Sequence, residues 1–335
     1  MLSHRKDPRT VFKSYIFAAA GKMEGADFFF FSPGKVNLEE ETILAWIYEM
    51  GEWVEKTVPF PDIVYNSSPP MTEKQTEIVD ALNQKIPFTS HPIGDKWSVY
   101  NRIEKGEMFS NYLIPSKDII SYDDVYDLLT NHSKIIVKPT SGSQGTDISY
   151  IERKEEQYTV IQDELKKVMN KQEFEQYIDF LIKQDEFLCQ PFIECQTKNG
   201  LFYDFRLHTQ KDGNGDWVIT SIYPRIAAEG IVANLSRGGY SAMLENFLKN
   251  EFGEEYYNVK RTLEQFALQF SVHFDSLYDE PLDELGIDIG VDKNRGIWIF
   301  EVNWRPGVPV LFGLEPEVAR NMIRYACYLH REREV

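Results

Sequence analysis

The spacing of apolar positions changes several times in the first ninety residues, and each change predicts an element. Ala26 to Phe31 is a short apolar run closed by Ser32, Pro33 and Gly34, which predicts a buried strand. Ile43, Trp46, Ile47 and Met50 then recur at helical spacing, so a helix is expected there. Pro61 to Asn66 predicts a second strand, and Thr72 to Leu82 a second helix that Thr72 can cap. This alternation points to an α/β unit with a parallel sheet. Asp95 can open a further helix, in a segment that ends around Asn111 to Pro115.

A smaller unit follows. Its pattern predicts a helix from Tyr122 to Thr130, a strand from Lys134 to Lys138, a polar glycine loop and a strand from Asp147 to Glu152. A charged helical stretch then runs to about Lys183, and Phe187 to Ile193 predicts another strand. From Phe202 the chain is strand-rich, interrupted by one long amphipathic helix with Val259, Leu263, Phe266, Phe270 and Leu277 on one face. Period-two alternation puts Asp204, Arg206 and His208 opposite Phe205 and Leu207. It also puts Gly286, Asp288 and Gly290 on one face, and Glu301, Asn303 and Arg305 opposite Trp298, Phe300, Val302 and Trp304. Asp292 to Gly296 reads as a turn, so these last two strands form a hairpin that brings Asp288 near Glu301 and Asn303.

Composition narrows the class. A chain of 335 residues exceeds what one core usually supports, so two or three subdomains are expected. An apolar content of 42% with 22 Phe and 18 Tyr is that of a packed globular protein. No apolar run approaches the ~20 residues that span a bilayer, and the charged N-terminus lacks a signal core. A soluble, cytoplasmic protein with no membrane partner is expected. The net charge of −17 argues against nucleic acid as a partner, because phosphate-backbone binding depends on clustered Lys and Arg. Three cysteines, Cys189, Cys195 and Cys327, lack metal spacing and are expected to be reduced thiols.

Candidate chemistry gathers at three places. Lys138 leaves a β-branched strand into a loop containing Ser141, Gly142, Ser143 and Gly145, whose backbone N–H groups can approach an anion. The loop is not a Walker motif, and on its own is equally explained as a polar hairpin turn. Asp288, Glu301 and Asn303 offer oxygen ligands suited to Mg²⁺ beside phosphates. Arg206 and Arg225 suit phosphate or a developing acyl phosphate, although singly each would be a surface ion-pair partner. His208 reads as a satisfied structural histidine.

In order, the motifs are strand-Lys138-Pro-x-x-Gly-x-x-Gly, Gln190-Pro-Phe-Ile, Asp204-x-Arg206, Arg225, Asn234-Leu-x-x-Gly238-Gly239, Gly-x-Asp288 and Glu301-Val-Asn303-x-x-Pro-Gly. This series resembles the ATP-grasp superfamily and is similar to RimK-type ligases from about Lys134 to Gly307. Asp95-Lys96-Trp97 and Pro61 to Asn66 resemble the YheC/YheD branch, which is described as endospore-coat-associated. The resemblance implies an α/β (α+β) ATP-grasp fold. An N-terminal pre-ATP-grasp domain would occupy residues 1–94, an ATP-grasp N-terminal part with a small lid 95–193, and a catalytic subdomain 194–335.

It also implies roles. Lys96 and Lys138 would hold the α- and β-phosphates of ATP, with the Ser141 to Gly145 loop closing over them. Gln190, Phe192 and Ile193 would meet adenine, and Glu194 or Asp204 the ribose. The insert from Cys195 to Phe202 departs from the family pattern and leaves the ribose ligand open between those two. Asp288, Glu301 and Asn303 would hold Mg²⁺. Arg225 would steady an acyl phosphate, and Asn234, Gly238 and Gly239 would lie beside the acceptor. The implied activity is an ATP- and Mg²⁺-dependent carboxylate–amine ligase with unidentified acid and amine. The alternative is a nucleotide-binding structural protein of the spore coat with little turnover, and either could form a homo-oligomer or join a coat assembly.

Overall fold

The structure is a computed structural model that describes residues 1–140, 147–162, 165–227, 239–307 and 313–334. In the N-terminal unit, helix α1 (Phe12–Glu24) precedes strands β1 (Phe29–Phe30), β2 (Val36–Asn37), β3 (Thr42–Glu49) and β4 (Glu52–Pro59), and α2 (Glu73–Asn83) follows them. The helix expected around Ile43 to Met50 is strand β3 instead. Ile43 and Ala45 are fully buried at period two, and Met50 and Gly51 turn the chain with positive φ into β4. The spacing of Ile43, Trp46, Ile47 and Met50 is helical, but as a strand it puts Trp46 and Ile47 on opposite faces, and the burial follows Ile43 and Ala45 instead. The β-branched and aromatic residues, with a two-residue turn after them, decide for the hairpin.

The sheet is antiparallel throughout, so the expected parallel sheet is not what these strands form. Within this unit parallel pairing survives as isolated bridges of Leu2 with Phe31 and Asn66 and of Val64 with Phe88, which is what the strand expected at Pro61 to Asn66 amounts to. Only Phe29 and Phe30 of the run Ala26 to Phe31 are in a strand. Thr72 does cap α2, accepting from the Gln75 N–H at 3.3 Å.

Helix α3 (Lys96–Lys105) leads to a six-stranded antiparallel sheet in the order β5-β10-β6-β7-β8-β9. Its strands are β5 (Lys117–Asp118), β6 (Lys134–Pro139), β7 (Ser149–Lys154), β8 (Gln157–Gln162), β9 (Leu165–Met169) and β10 (Phe187–Pro191). Helices α4 (Tyr122–Asn131) and α5 (Lys171–Gln184) cover one face, with Val125, Ile135, Val137, Ile151, Phe174 and Ile178 in its core. The charged stretch expected to be helical up to Lys183 is thus hairpin β8–β9 followed by α5. Asn170 and Glu173 mark the true helix start as a capping box.

The third sheet carries the order β13-β12-β11-β14-β15, all antiparallel. Its strands are β11 (Tyr203–Lys211), β12 (Trp217–Ile226), β13 (Tyr240–Ser241), β14 (Glu284–Val291) and β15 (Ile297–Asn303). Helices α6 (Leu244–Phe252) and α7 (Tyr256–Ser276) pack on it, and Leu263, Phe266, Phe270 and Phe274 meet Phe205, Leu207, Ile287 and Ile289. Helix α8 (Glu315–Glu334) returns to the N-terminal unit, where Ala319 and Met322 share a core with Phe17, Phe30 and Trp53. Among the described residues no helix is long and apolar enough to cross a membrane.

Candidate nucleotide and metal site

A cavity of about 290 Å³ lies between the outer edge of β15, the start of α3 and the facing strands β6 and β10. Its volume is at the lower bound of small-molecule pockets, about 300 Å³. Gly94 turns the chain into α3 with φ of +97°, a conformation glycine adopts without strain. Asp95 then caps the helix by accepting from the Ser98 N–H at 2.7 Å. That cap aims the positive end of α3 and the Lys96 side chain at the cavity.

Lys138 reaches the same cavity from the end of β6. Burial, then the charge of Lys96, lower its ammonium to about 8, and Glu301 opposes them. Two cations thus converge where an anion would relieve both. On the neighbouring strand Gln190 is buried and lines the cavity, with its Oε1 accepting from the Ser116 hydroxyl at 3.3 Å.

Glu301 and Asn303 line the wall opposite. The hairpin expected here is present, with Asp288 paired to Glu301 and Gly286 to Asn303. Strict alternation fails at one point. A register shift beside Asp288 leaves Phe300 as an extra residue, so Ile297, Ile299 and Val302 face the core while Trp298, Phe300 and Trp304 are only partly buried. The Phe300 ring lies over Gly290, where any Cβ would also come within 2.6 Å of the Cys195 sulfur.

Behind Glu301 the polar face of the sheet holds an ion-pair quartet. Arg206 grips Asp288 with Nε on Oδ1 and Nη2 on Oδ2, the latter at 3.0 Å. Arg225 reaches the same Oδ2 at 3.0 Å and binds Asp204 through two bonds of 2.7 Å. Burial raises the Asp288 carboxyl, but the two guanidiniums outweigh it and hold the group below its ordinary value. Asp204 is pushed up to about 6 by burial, against Arg225. Further along the sheet, His208 meets Glu284 at 2.8 Å in the interior, the satisfied histidine the sequence suggested.

The structure therefore brings Lys96, Lys138, Gln190, Glu301 and Asn303 to one cavity, with Asp288, Arg206 and Arg225 directly behind. It does not bring Phe192, Ile193, Glu194 or Asp204 to the cavity wall. The Phe192 N–H is donated to the Lys134 carbonyl at 3.0 Å, and Glu194 pairs with the Lys134 ammonium. Gly239 precedes β13, whose Ser241 is paired with Arg225. Ser141, Gly142, Ser143, Gly145, Asn234 and Gly238 lie outside the described residues.

Sequence reasoning missed Trp97, Tyr100, Ser116 and Trp304 as cavity residues. Trp97 and Tyr100, three apart on α3 and stacked at 5.0 Å, carried a readable signal. Ser116 carried none, because its partner Gln190 is 74 residues away.

A family model described as YheC/D like ATP-grasp matches residues 85–329. Among curated proteins, the endospore coat-associated protein YheD of Bacillus subtilis (strain 168) is 27% identical over 319 residues, covering 90% of this chain and 70% of its own. Endospore coat-associated protein YheC of the same organism is 23% identical over 328 residues, covering 92% and 87%. Among solved structures, the ATP-grasp ligase PsnB complexed with a minimal precursor superposes with a TM-score of 0.57 at 10% identity, covering 95% of this chain and 97% of that one. At that identity the likeness is one of fold.

Proposed function

The chain belongs to the YheC/D-like ATP-grasp family, and from that premise we propose that it is an ATP- and Mg²⁺-dependent carboxylate–amine ligase. The observation that carries this reading is the convergence of Lys96, Lys138, Gln190, Glu301 and Asn303, from four separate segments, on one cavity. Lys96, Lys138 and the N-terminal end of α3 would hold the polyphosphate. Gln190 would meet the base, with the backbone near Phe192 and Ile193. For the ribose, Glu194 would first have to leave Lys134, or Asp204 leave Arg225. The loop from Ser141 to Gly145 would close over the phosphates, and Asn234, Gly238 and Gly239 would border the acceptor.

Asp288, Glu301 and Asn303 offer two carboxylates and one amide oxygen from paired strands, a donor set that fits Mg²⁺. The ion, when bound, would neutralise phosphate charge. In the first step a substrate carboxylate oxygen bonds to the γ-phosphorus, and ADP leaves with the electrons of the broken P–O bond. An amine then attacks the acyl carbon, phosphate departs, and loss of a proton leaves the amide. Arg225, with Arg206 beside it, would steady the acyl phosphate, for which a guanidinium would first have to leave Asp288. The unit from Tyr122 to Lys183 would act as a lid that keeps water from this intermediate.

The test is ADP release from ATP and Mg²⁺ across a panel of amino acids and short peptides. Release that requires both an acid and an amine, reduced on the order of 10²–10³ in an Arg225→Gln variant, supports the reading. A second reading is favoured by the names of the two Bacillus relatives, a nucleotide-binding structural protein of the endospore coat. ATP binding without ADP release for any pair would favour it. Under either reading the site of action would be the cytoplasm, with association to the forespore or coat.

A further inference from the structure

The Asp288 carboxylate is already engaged. A carboxylate offers about four lone-pair directions, and the Arg206 and Arg225 contacts occupy three of them. Two positive charges therefore stand within hydrogen-bond reach of the oxygens that a dication would need. Asp204, Arg206 and Asp288 are each at least nine-tenths buried, and the Arg225 side chain is 11% exposed. The quartet of two arginines and two aspartates is neutral as it stands. A dication added to it with both guanidiniums in place would leave a large excess of buried positive charge.

The two arginines are held unequally. Arg206 is forked on Asp288 and also donates Nη1 to the Pro306 carbonyl at 3.2 Å. Arg225 keeps its two-bond fork on Asp204 and touches Asp288 through Nη2 alone. Withdrawing Arg225 from Asp288 therefore breaks one contact and leaves its main ion pair intact. Glu301 and Asn303, in contrast, face the cavity from which phosphate would enter.

We propose that Arg206 and Arg225 latch Asp288, so that the nucleotide-free chain binds divalent metal weakly and entering phosphate draws a guanidinium away and frees the third metal ligand. The inference rests on the metal and nucleotide assignments above. Metal and polyphosphate then bind with positive coupling. Reciprocity requires each to tighten the other by the same factor.

The experiment measures Mn²⁺ binding to the full chain without nucleotide, by electron paramagnetic resonance. Arg206→Gln removes two bonds and one charge from Asp288 while the Arg225–Asp204 pair stays. It is expected to tighten nucleotide-free Mn²⁺ binding about 5- to 150-fold, the usual range of such couplings. Arg206→Lys, which keeps the charge and loses the fork, should give a smaller gain in the same direction and decides the matter if the Gln variant does not fold. Unchanged or weaker Mn²⁺ binding in the folded Arg206 variant, with Glu301→Ala still abolishing it, would overturn the latch and leave the metal site standing. Mn²⁺ binding that Glu301→Ala leaves untouched would overturn the metal-site reading and the latch with it.

Discussion

Lys138 is the residue whose charge state should govern nucleotide binding, and its environment gives the size of the effect. With its ammonium lowered to about 8, Lys138 is about ten parts in eleven charged at pH 7 and about one part in eleven at pH 9. Phosphate favours the charged form, so ADP affinity should fall about tenfold between these values. The second ionisation of phosphate lies near 6, below this window. Calorimetric titration with ADP, free of divalent metal and repeated in two buffers of different ionisation enthalpy, measures both affinity and proton uptake. Lys138→Met should bind ADP more weakly at pH 7, with no slope from pH 7 to 9. A flat wild-type profile, or a slope that survives in Lys138→Met, would refute the assignment.

The sign for stability is opposite. The folded value lies below the ordinary 10.5, so between about pH 8 and 10.5 the unfolded chain binds more protons and stability rises with pH. Below pH 8 the full cost of the buried charge remains, and Lys138→Met should be the more stable protein at pH 7.

Three further outcomes are expected. Phe174 is fully buried and stacked on Tyr158 at 4.3 Å, so Phe174→Ala should cost about 3–5 kcal/mol in urea unfolding. Gly290→Ala would press a methyl against Phe300 and Cys195, costing about 1–3 kcal/mol and weakening ADP binding, whereas Gly34→Ala meets nothing within 4 Å and should be near neutral. Burial raises the Glu284 carboxyl, but His208 and Arg305 outweigh it and hold it below its ordinary 4.5. Its contribution is therefore present above that value and lost as pH falls through the folded one. His208→Leu should cost about 1–3 kcal/mol at pH 7, measured by denaturation, with the difference from wild type narrowing in acid.

The parts of the site legible in the sequence were those whose geometry is local. Asp288, Glu301 and Asn303 could be paired because a five-residue turn joins their strands, and Asp95 could be read as a cap because its partner is three residues on. Long-range competition was not legible. Arg206 and Arg225 read as phosphate ligands, yet their immediate partners are Asp288 and Asp204, brought in by the order β12-β11-β14. The ribose assignment met the same obstacle, since nothing near Asp204 in the chain announces Arg225. In the fold, helical spacing misled at the strands β3 and β8–β9, where the turn chemistry decided otherwise, and the parallel sheet expected of the first unit is antiparallel. The failed alternation at Phe300 has a similar cause, because a one-residue bulge leaves no mark on spacing.

The most direct measurement of the central claim is calorimetric titration with ATP, with and without Mg²⁺, on the wild type and on a Glu301→Ala, Asn303→Ala double variant. Wild-type binding that Mg²⁺ strengthens, with that dependence lost in the folded double variant, is the expected result. Absence of ATP binding by the wild type would contradict the claim and remove the basis of the ligase reading.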